Sequence, residues 1–190
     1  MNTFKHLIDK VNNDDEDTRR TAVESVNLIY QVSSRLAIDL GNEFILKCGS
    51  NIHPKEVENM SMIRENTQIP IPNVIRHWNS NGIKFILMDK VRGVTLQSIW
   101  KDLKYTDKRN FAREVSSFIL MMRNIKKNDM VLTHGDLIPL NIMVNSEKVL
   151  AIIDWETCSF LPIERELDIM SNNPDCPSDW RKMIEGSLYI

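Results

Sequence analysis

The chain has 190 residues, which suits one domain with a substantial core or two small lobes. Its formal net charge of −2 excludes the basic surface expected of a nucleic-acid-binding protein, and no apolar run approaches the length of a membrane span. The first residues lack the continuous apolar stretch of a secretory signal, and the three cysteines are widely spaced without metal-ligand pairing. We therefore expect a cytoplasmic protein with free thiols.

The N-terminal half predicts a small sheet preceded by an appendage. Residues 1–26 include a polar, acidic stretch that suits the start of a helix. Beyond it, alternating and β-branched residues predict five short strands, and apolar residues at helical spacing predict one helix. The expected strands are 28–32, 35–38, 43–47, 73–78 and 83–89, and the expected helix is 54–64. The pattern indicates an N-terminal lobe built on one sheet.

After Gly93 the pattern becomes helical. Helices are predicted near 96–103, 107–125, 163–170 and 178–186. Apolar residues in the second of these recur every three or four positions, which indicates a surface that faces the core. Between the second and third helices, two apolar runs, one ending at Val144 and one covering 150–153, flank a polar turn and predict a hairpin.

The segment 133–154 carries polar residues at intervals that suit phosphoryl transfer. Four residues separate Asp136 from Asn141, and the predicted hairpin returns Asp154 to the loop that holds Asn141. Phosphoryl transfer requires a carboxylate beside the acceptor hydroxyl and oxygen ligands for Mg²⁺. Asp136 fits the first requirement, whereas Asn141 and Asp154 fit the second. His134 fits a core histidine that hydrogen-bonds to the loop backbone.

His-Gly-Asp-Leu at 134–137, Asn141 and Ile-Asp-Trp-Glu at 153–156 resemble the aminoglycoside phosphotransferase family of small-molecule kinases. Upstream motifs in the same order extend the resemblance over roughly residues 27–170. It implies an α+β, protein-kinase-like two-lobed fold, with a small antiparallel-sheet N-terminal lobe and a mainly helical, shortened C-terminal lobe. Residues 1–26 would be an appendage, 27–93 the nucleotide-binding lobe with the hinge, and 94–190 the lobe with the catalytic loop and metal-binding segment.

The resemblance also implies an activity, namely ATP- and Mg²⁺-dependent phosphorylation of a hydroxyl of a small molecule. Asp136 would be the catalytic residue, and Asn141 and Asp154 would hold Mg²⁺. Five further residues would bind the nucleotide: Lys47, Glu56, Met88, Asp89 and Val91. Among them Lys47, oriented by Glu56, would hold the phosphates, and the other three would form the hinge that meets adenine.

Alternatives stay open for individual residues. Lys47 also fits a surface lysine at a strand end, and Glu56 fits a solvated residue in the first turn of a helix. Four acidic residues near the C-terminal end fit either a site for a cationic acceptor or a solvated helix face: Glu156, Glu164, Glu166 and Asp168.

Two departures from the family pattern open alternatives for the whole chain. Residues 26–40 contain no glycine where a glycine-rich loop would cover the phosphates, and the chain is short around the catalytic segment, where acceptor-binding helices normally lie. A catalytically impaired kinase-like nucleotide-binding or interaction protein is therefore an alternative, as is a fragment that self-associates to complete its lobe. Trp155 and Glu156 stand where protein kinases have Phe-Gly, which favours a small-molecule acceptor over a protein.

Overall fold

A computed structural model describes residues 27–32, 35–41, 43–53 and 55–189. The helix predicted within residues 1–26 lies outside the described residues. The chain divides into two compact units, of which the first comprises residues up to His53 together with Asn73–Lys90. The second unit comprises Pro54–Pro72 and Val91–Ile190. The helix that the sequence places between the third and fourth strands therefore belongs to the second unit.

The described residues of the first unit form five strands: β1 (Asn27–Val32), β2 (Arg35–Asp39), β3 (Phe44–Gly49), β4 (Val74–Ser80) and β5 (Ile83–Asp89). They form one antiparallel sheet in the order β1-β2-β3-β5-β4. Ile38, Leu46, Cys48 and Phe85 form its buried cluster, because alternate residues of each strand point to the same face. Every predicted strand forms, at nearly the expected bounds.

The second unit contains five helices: α1 (Lys55–Asn66), α2 (Leu96–Ile99), α3 (Tyr105–Arg123), α4 (Arg165–Asn172) and α5 (Trp180–Leu188). The predicted core face of α3 is buried, from Phe111 and Val115 through Ile119 to Met122. α5 packs against this helix, and the Ser116 hydroxyl donates to the Ile184 carbonyl at 3.2 Å. The last helix of the chain is therefore part of the core of this unit.

Six short strands complete the second unit: β6 (Val94–Thr95), β7 (Lys126–Lys127), β8 (Met130–Thr133), β9 (Ile142–Val144), β10 (Val149–Ile152) and β11 (Ser159–Leu161). They form two antiparallel sheets, in the orders β10-β9-β6 and β11-β8-β7. The predicted hairpin is β9-β10. The sequence indicated only a brief connection at 125–134, where the structure has a second hairpin turned at Asn128, whose φ is 55°.

The predicted α+β class is confirmed, with an antiparallel sheet in the first unit and mainly helices in the second. The two small sheets position the polar segment, because β8 ends directly before His134, β9 begins directly after Asn141, and β10 ends shortly before Asp154. None of the helices in the described part of the chain is long and apolar enough to span a bilayer.

Candidate active site

His134 is fully buried at the end of β8, and its imidazole fixes the loop that follows. The Asp136 N–H donates to Nδ1 at 3.2 Å, so the ring proton resides on Nε2, which donates to the Ile153 carbonyl at 3.1 Å. Burial lowers the pKa of His134 to about 4, so the ring is neutral at physiological pH. Its edge meets Trp155, with ring centroids 4.6 Å apart. His134 thus has the core role predicted for it.

Glu166, in the first turn of α4, holds the backbone of the same loop. Its carboxylate accepts the N–H of His134 at 2.7 Å and the N–H of Gly135 at 3.3 Å. Burial raises the pKa of Glu166 to about 7, against these hydrogen bonds, which favour the charged form. The sequence offered Glu166 as an acceptor-site or solvated carboxylate, and both alternatives are wrong. Its position beside Leu167 and four before Met170, on the buried face of α4, was the available signal.

Gly135 is required by the close approach of the loop to Thr157. Its φ is +82°, and a Cβ at this position would lie 2.9 Å from the Thr157 carbonyl oxygen. The Thr157 hydroxyl donates to the His134 carbonyl at 2.9 Å on the same side. A side chain larger than hydrogen would therefore push apart the two segments that carry Asp136 and Asp154.

Asp136 is half-buried, and both oxygens of its carboxylate accept side-chain amides. Asn141 Nδ2 lies 2.7 Å from Oδ2 and Asn173 Nδ2 lies 2.9 Å from Oδ1. Asn141 Nδ2 also donates to the Asp136 carbonyl at 2.8 Å. Burial raises the pKa of Asp136 and the charge of Asp154 adds to the effect, whereas the two amides lower it. The net effect is that the pKa of Asp136 lies above its ordinary value.

The side chains of Asn141 and Asp154 offer oxygen atoms to a divalent cation. Because both partners of the Asn141 NH₂ group on Asp136 are acceptors, its Oδ1 faces away from Asp136 and is available as a ligand. The Ile153 N–H donates to the Asn141 carbonyl at 3.0 Å, which brings the residue before Asp154 against the loop. Oxygen donors of this kind are those that Mg²⁺ binds, so the donor set fits that ion.

α1 brings a further carboxylate to Asp154. Asn59 Nδ2 donates to the Trp155 carbonyl at 2.8 Å, which fixes the helix on this segment. Glu56 lies one turn earlier on the same face, and ligand atoms of Glu56, Asp154 and Glu156 all lie within 4.8 Å of one another. Glu56 is 2% exposed, so its alternative as a solvated helix residue is wrong.

The remaining nucleotide-site candidates divide between the units. Lys47, Met88 and Asp89 lie in the first unit and Val91 in the second. Lys47 occupies a central strand and is 5% exposed, so it is not a surface lysine at a strand end. The Asp89 N–H donates to the Asn73 carbonyl at 2.9 Å, and the Val91 carbonyl accepts the Gly93 N–H at 3.1 Å.

An open depression of about 570 Å³ lies beside Asp136 within the second unit. Its lining includes Asp136, Arg165, Asn172, Asn173 and Asp175. The lining combines charges of both signs and two amides with the apolar side chains of Ile169 and Pro174. The depression lies beside the Asp136 carboxylate, which Asn141 and Asn173 orient.

The residues after Asp154 contribute more to the loop than the sequence indicated. Asn173 binds the Asp136 carboxylate, and the Trp180 Nε1–H donates to the Leu137 carbonyl at 3.1 Å. Neither residue was a sequence candidate, because each makes a single contact to a loop far away along the chain. The segment after β11 therefore holds the loop at 134–141 through Glu166, Asn173 and Trp180.

The model of the RIO domain matches residues 41–159, a range that includes Lys47, Glu56, Asp136, Asn141 and Asp154. The chain belongs to the RIO domain family. A search of curated protein sequences finds no match. The RIO domain has a kinase-like fold, so the family agrees with the resemblance drawn from the motifs.

Solved structures similar to this RIO-family chain are aminoglycoside phosphotransferases. ADP-bound APH(2'')-Ib superposes with a TM-score of 0.72 at 9% identity, over 98% of this chain and 81% of that chain. The gentamicin complex of APH(2'')-IIa gives 0.68 at 12% identity, over 93% and 82%. APH(4)-Ia gives 0.66 at 14% identity, over 97% and 80%. The predicted protein-kinase-like fold and its likeness to aminoglycoside phosphotransferases are confirmed.

Proposed function

We propose that this protein is an ATP- and Mg²⁺-dependent phosphotransferase that phosphorylates a hydroxyl group of a small molecule. The observation that carries the proposal is the Asp136 carboxylate, held at both oxygens by amides at the edge of an open depression. A kinase requires such a carboxylate beside the acceptor hydroxyl, with oxygen ligands for the metal close by. The kinase-like fold of the RIO domain family supports the same reaction type.

Each candidate residue has a role in this proposal. Lys47 and Glu56 serve the binding of the ATP phosphates, and the backbone at Met88, Asp89 and Val91 serves the binding of adenine. The side-chain oxygens of Asn141 and Asp154 hold Mg²⁺. When bound, the ion supplies the positive charge that offsets the charge on the phosphates.

Asp136 orients the acceptor and takes its proton. The acceptor oxygen forms a bond to the γ-phosphorus, the bond from that phosphorus to the ADP oxygen breaks, and the hydroxyl proton passes to the Asp136 carboxylate. A carboxylate whose pKa is raised by burial accepts this proton more readily than an exposed one. The neutral His134 keeps the Asp136 backbone in place and does not exchange protons itself.

The acceptor is proposed to be a small polar molecule. Relatives of the same fold were solved with gentamicin, streptomycin and hygromycin B, which are small molecules. The lining of the depression beside Asp136 carries the charges of Arg165 and Asp175 and two amides among its apolar groups. These features favour an acceptor that offers several hydrogen-bonding groups, and they leave its identity to a substrate screen.

The first test is thermal unfolding with and without millimolar ATP and Mg²⁺. A ligand at a hundred times its dissociation constant adds about 2.7 kcal/mol, which raises the midpoint by several degrees in a chain of this size. We expect a shift that requires both ATP and Mg²⁺, that disappears in Asp154→Ala and that persists in Glu65→Ala. Glu65 is the matched control because it is an exposed carboxylate on α1.

The second test is ADP release in the presence of a panel of hydroxyl compounds. Turnover above the rate with water alone identifies the acceptor class. A nucleotide-dependent shift without turnover on any compound would contradict the proposed transferase activity and favour a nucleotide-binding protein of the same fold. A shift that survives in Asp154→Ala would contradict the assignment of the metal ligand.

A further inference from the structure

We propose that Asn173 is a positioning residue that fixes the Asp136 carboxylate at the edge of the acceptor depression. The inference rests on the proposed function, because it assigns Asn173 a part in the reaction that Asp136 performs. It starts from one contact, the 2.9 Å hydrogen bond from Asn173 Nδ2 to Asp136 Oδ1. Asn173 follows α4 directly and lies outside the segment matched by the RIO domain model.

The carboxylate of Asp136 needs two donors to hold its plane. Rotation about the last torsion of an aspartate side chain is soft, with a broad two-fold profile, so one hydrogen bond leaves the second oxygen poorly fixed. Asn141 holds Oδ2 at 2.7 Å, and Asn173 holds Oδ1 at 2.9 Å. With both bonds in place, the orientation of the carboxylate toward the depression is defined.

The local sequence Asn173-Pro174-Asp175 prepares Asn173 for this contact. The residue before a proline is driven out of the helical region, and Asn173 accordingly has φ −85° and ψ 118°, which ends α4 at Asn172. Its Oδ1 accepts the Asp175 N–H at 2.9 Å. This bond fixes which end of the amide is the donor, because the oxygen faces Asp175 and the NH₂ group must face Asp136.

The contact leaves Asp136 able to act on a substrate. Each carboxylate oxygen has two lone pairs and each receives one amide, so either oxygen can still accept a hydroxyl from the depression. Asn173 and Asp136 both line that depression, and both are only half-buried. Since its bond lies at the rim of the site and outside the core, we expect the loss of Asn173 to change the reaction more than the fold.

The experiment compares Asn173→Ala and Asn173→Asp with Asn66→Ala and Asp136→Asn in Mg²⁺-ATP turnover, measured as ADP release with water as the acceptor. Asn173→Asp keeps the shape and replaces the donor by a carboxylate that repels Asp136. Asn66 is the matched control, because it also lies at the end of a helix but donates only within that helix, to the Met62 carbonyl. Each variant is checked by its unfolding midpoint.

We expect kcat to fall about tenfold or more in both Asn173 variants, with the KM for ATP unchanged within about twofold. Asn66→Ala should match the wild type. If Asp136→Asn abolishes turnover while the Asn173 variants retain full kcat, the inference is wrong and the proposed function stands. If the wild type shows no turnover with water or with any compound of the hydroxyl panel, or if Asp136→Asn retains turnover, the proposed function fails first.

A second measurement tests the contact without turnover. The side-chain NH₂ resonances of Asn173 in a ¹H–¹⁵N spectrum should move on Asp136→Ala, because the acceptor of one proton is removed. Those of Asn66 should not move. An unchanged Asn173 signal would overturn the inference even if activity fell in the Asn173 variants, since the fall would then have another cause.

Discussion

The loop from His134 to Asn141 has two unlike faces. On the buried face, His134 and Glu166 are almost completely excluded from solvent and satisfy backbone groups of the loop. On the open face, Asp136 and Asn173 are half-buried and meet through side chains at a depression. The buried contacts therefore fix the backbone of the loop, whereas the Asp136 carboxylate stays accessible.

The difference should appear in which property a substitution changes. When a buried backbone N–H loses its acceptor, the free energy spent on its desolvation is no longer offset by a hydrogen bond. Changes on the buried face should therefore lower stability. A side chain at the rim can exchange its partner for water at little cost, so changes on the open face should lower activity and spare the fold. The following variants test this division, beginning with the largest expected effect.

Asp136→Asn tests the open face directly. Asparagine keeps the size of the side chain but cannot take a proton from the acceptor, so turnover should fall by about 10²- to 10⁴-fold. The unfolding midpoint and its increase with Mg²⁺-ATP should change little. ADP release and thermal unfolding measure both properties on the same sample, and loss of the ATP-dependent increase would assign Asp136 to nucleotide binding instead.

Glu166→Ala tests the buried face. The change leaves the N–H groups of His134 and Gly135 without their acceptor, and we expect a loss of roughly 3 kcal/mol in the free energy of unfolding, measured by denaturant titration. Glu164→Ala is the control, because Glu164 is exposed and lies two residues earlier; it should change stability by less than about 0.5 kcal/mol. Equal effects of the two changes would contradict the division into faces.

Gly135→Ala tests the boundary between the faces. A methyl group meets the Thr157 carbonyl at 2.9 Å, and the φ of +82° is unfavourable for alanine, so we expect a loss of about 2 kcal/mol. Gly186→Ala is the opposite control, since it lies in α5 with open space around its Cβ position. That change should stabilise the chain by about 0.5–1 kcal/mol, and denaturant titration measures both.

The sequence predicted the contacts of the buried face less well than the local elements that bring Asp136, Asn141 and Asp154 into one segment. The spacing from Asp136 to Asn141 and the hairpin that leads to Asp154 are local patterns, so they could be found from one sequence. The five strands of the first unit and the core face of α3 were equally local, since each depends on alternation or helical periodicity within one segment.

Contacts that join distant segments could not be predicted in this way. Glu166, Asn173 and Trp180 each reach back to the loop by one hydrogen bond or one pair of bonds, and a single contact leaves no periodic trace. The burial of Glu56 was left open between two alternatives for a related reason, because a glutamate in the first turn of a helix has the same sequence pattern whether it is solvated or covered. The strands of the β11-β8-β7 sheet are two to four residues long, too short for periodicity to reveal.

The pH dependence of stability offers a finer test of the buried face. The pKa of Glu166 is about 7 in the folded chain against an ordinary value of 4.5, so the folded state binds the extra proton between these pH values. The resulting contribution of Glu166 to the free energy of unfolding is fully present below about pH 4.5 and is lost as the pH rises through about 7. Its slope is at most about 1.4 kcal/mol per pH unit.

Glu166→Gln removes this titration. His134 acts in the opposite sense, because its pKa is lowered to about 4 and its contribution is lost as the pH falls, so the difference between wild type and Glu166→Gln isolates Glu166. We expect the destabilisation caused by Glu166→Gln to shrink from pH 5 to pH 7.5 in denaturant titrations. A difference that stays constant over this range would mean that the folded chain does not raise the pKa of Glu166.

Arg165→Ala should have the smallest effect on stability, and it tests the open face of the loop at a residue next to the buried Glu166. The Arg165 side chain is 50% exposed and meets Asp168 at 3.8 Å, an exposed pair whose loss should cost less than about 0.5 kcal/mol. Arg165 also lines the depression beside Asp136, so its removal should raise the KM of an acceptor that carries negative charge and leave kcat unchanged. Glu166→Ala, at the next residue along the helix, is expected to do the reverse: it should lower stability strongly and leave the KM of such an acceptor unchanged. A large loss of stability in Arg165→Ala would contradict the assignment of the adjacent residues Arg165 and Glu166 to different faces.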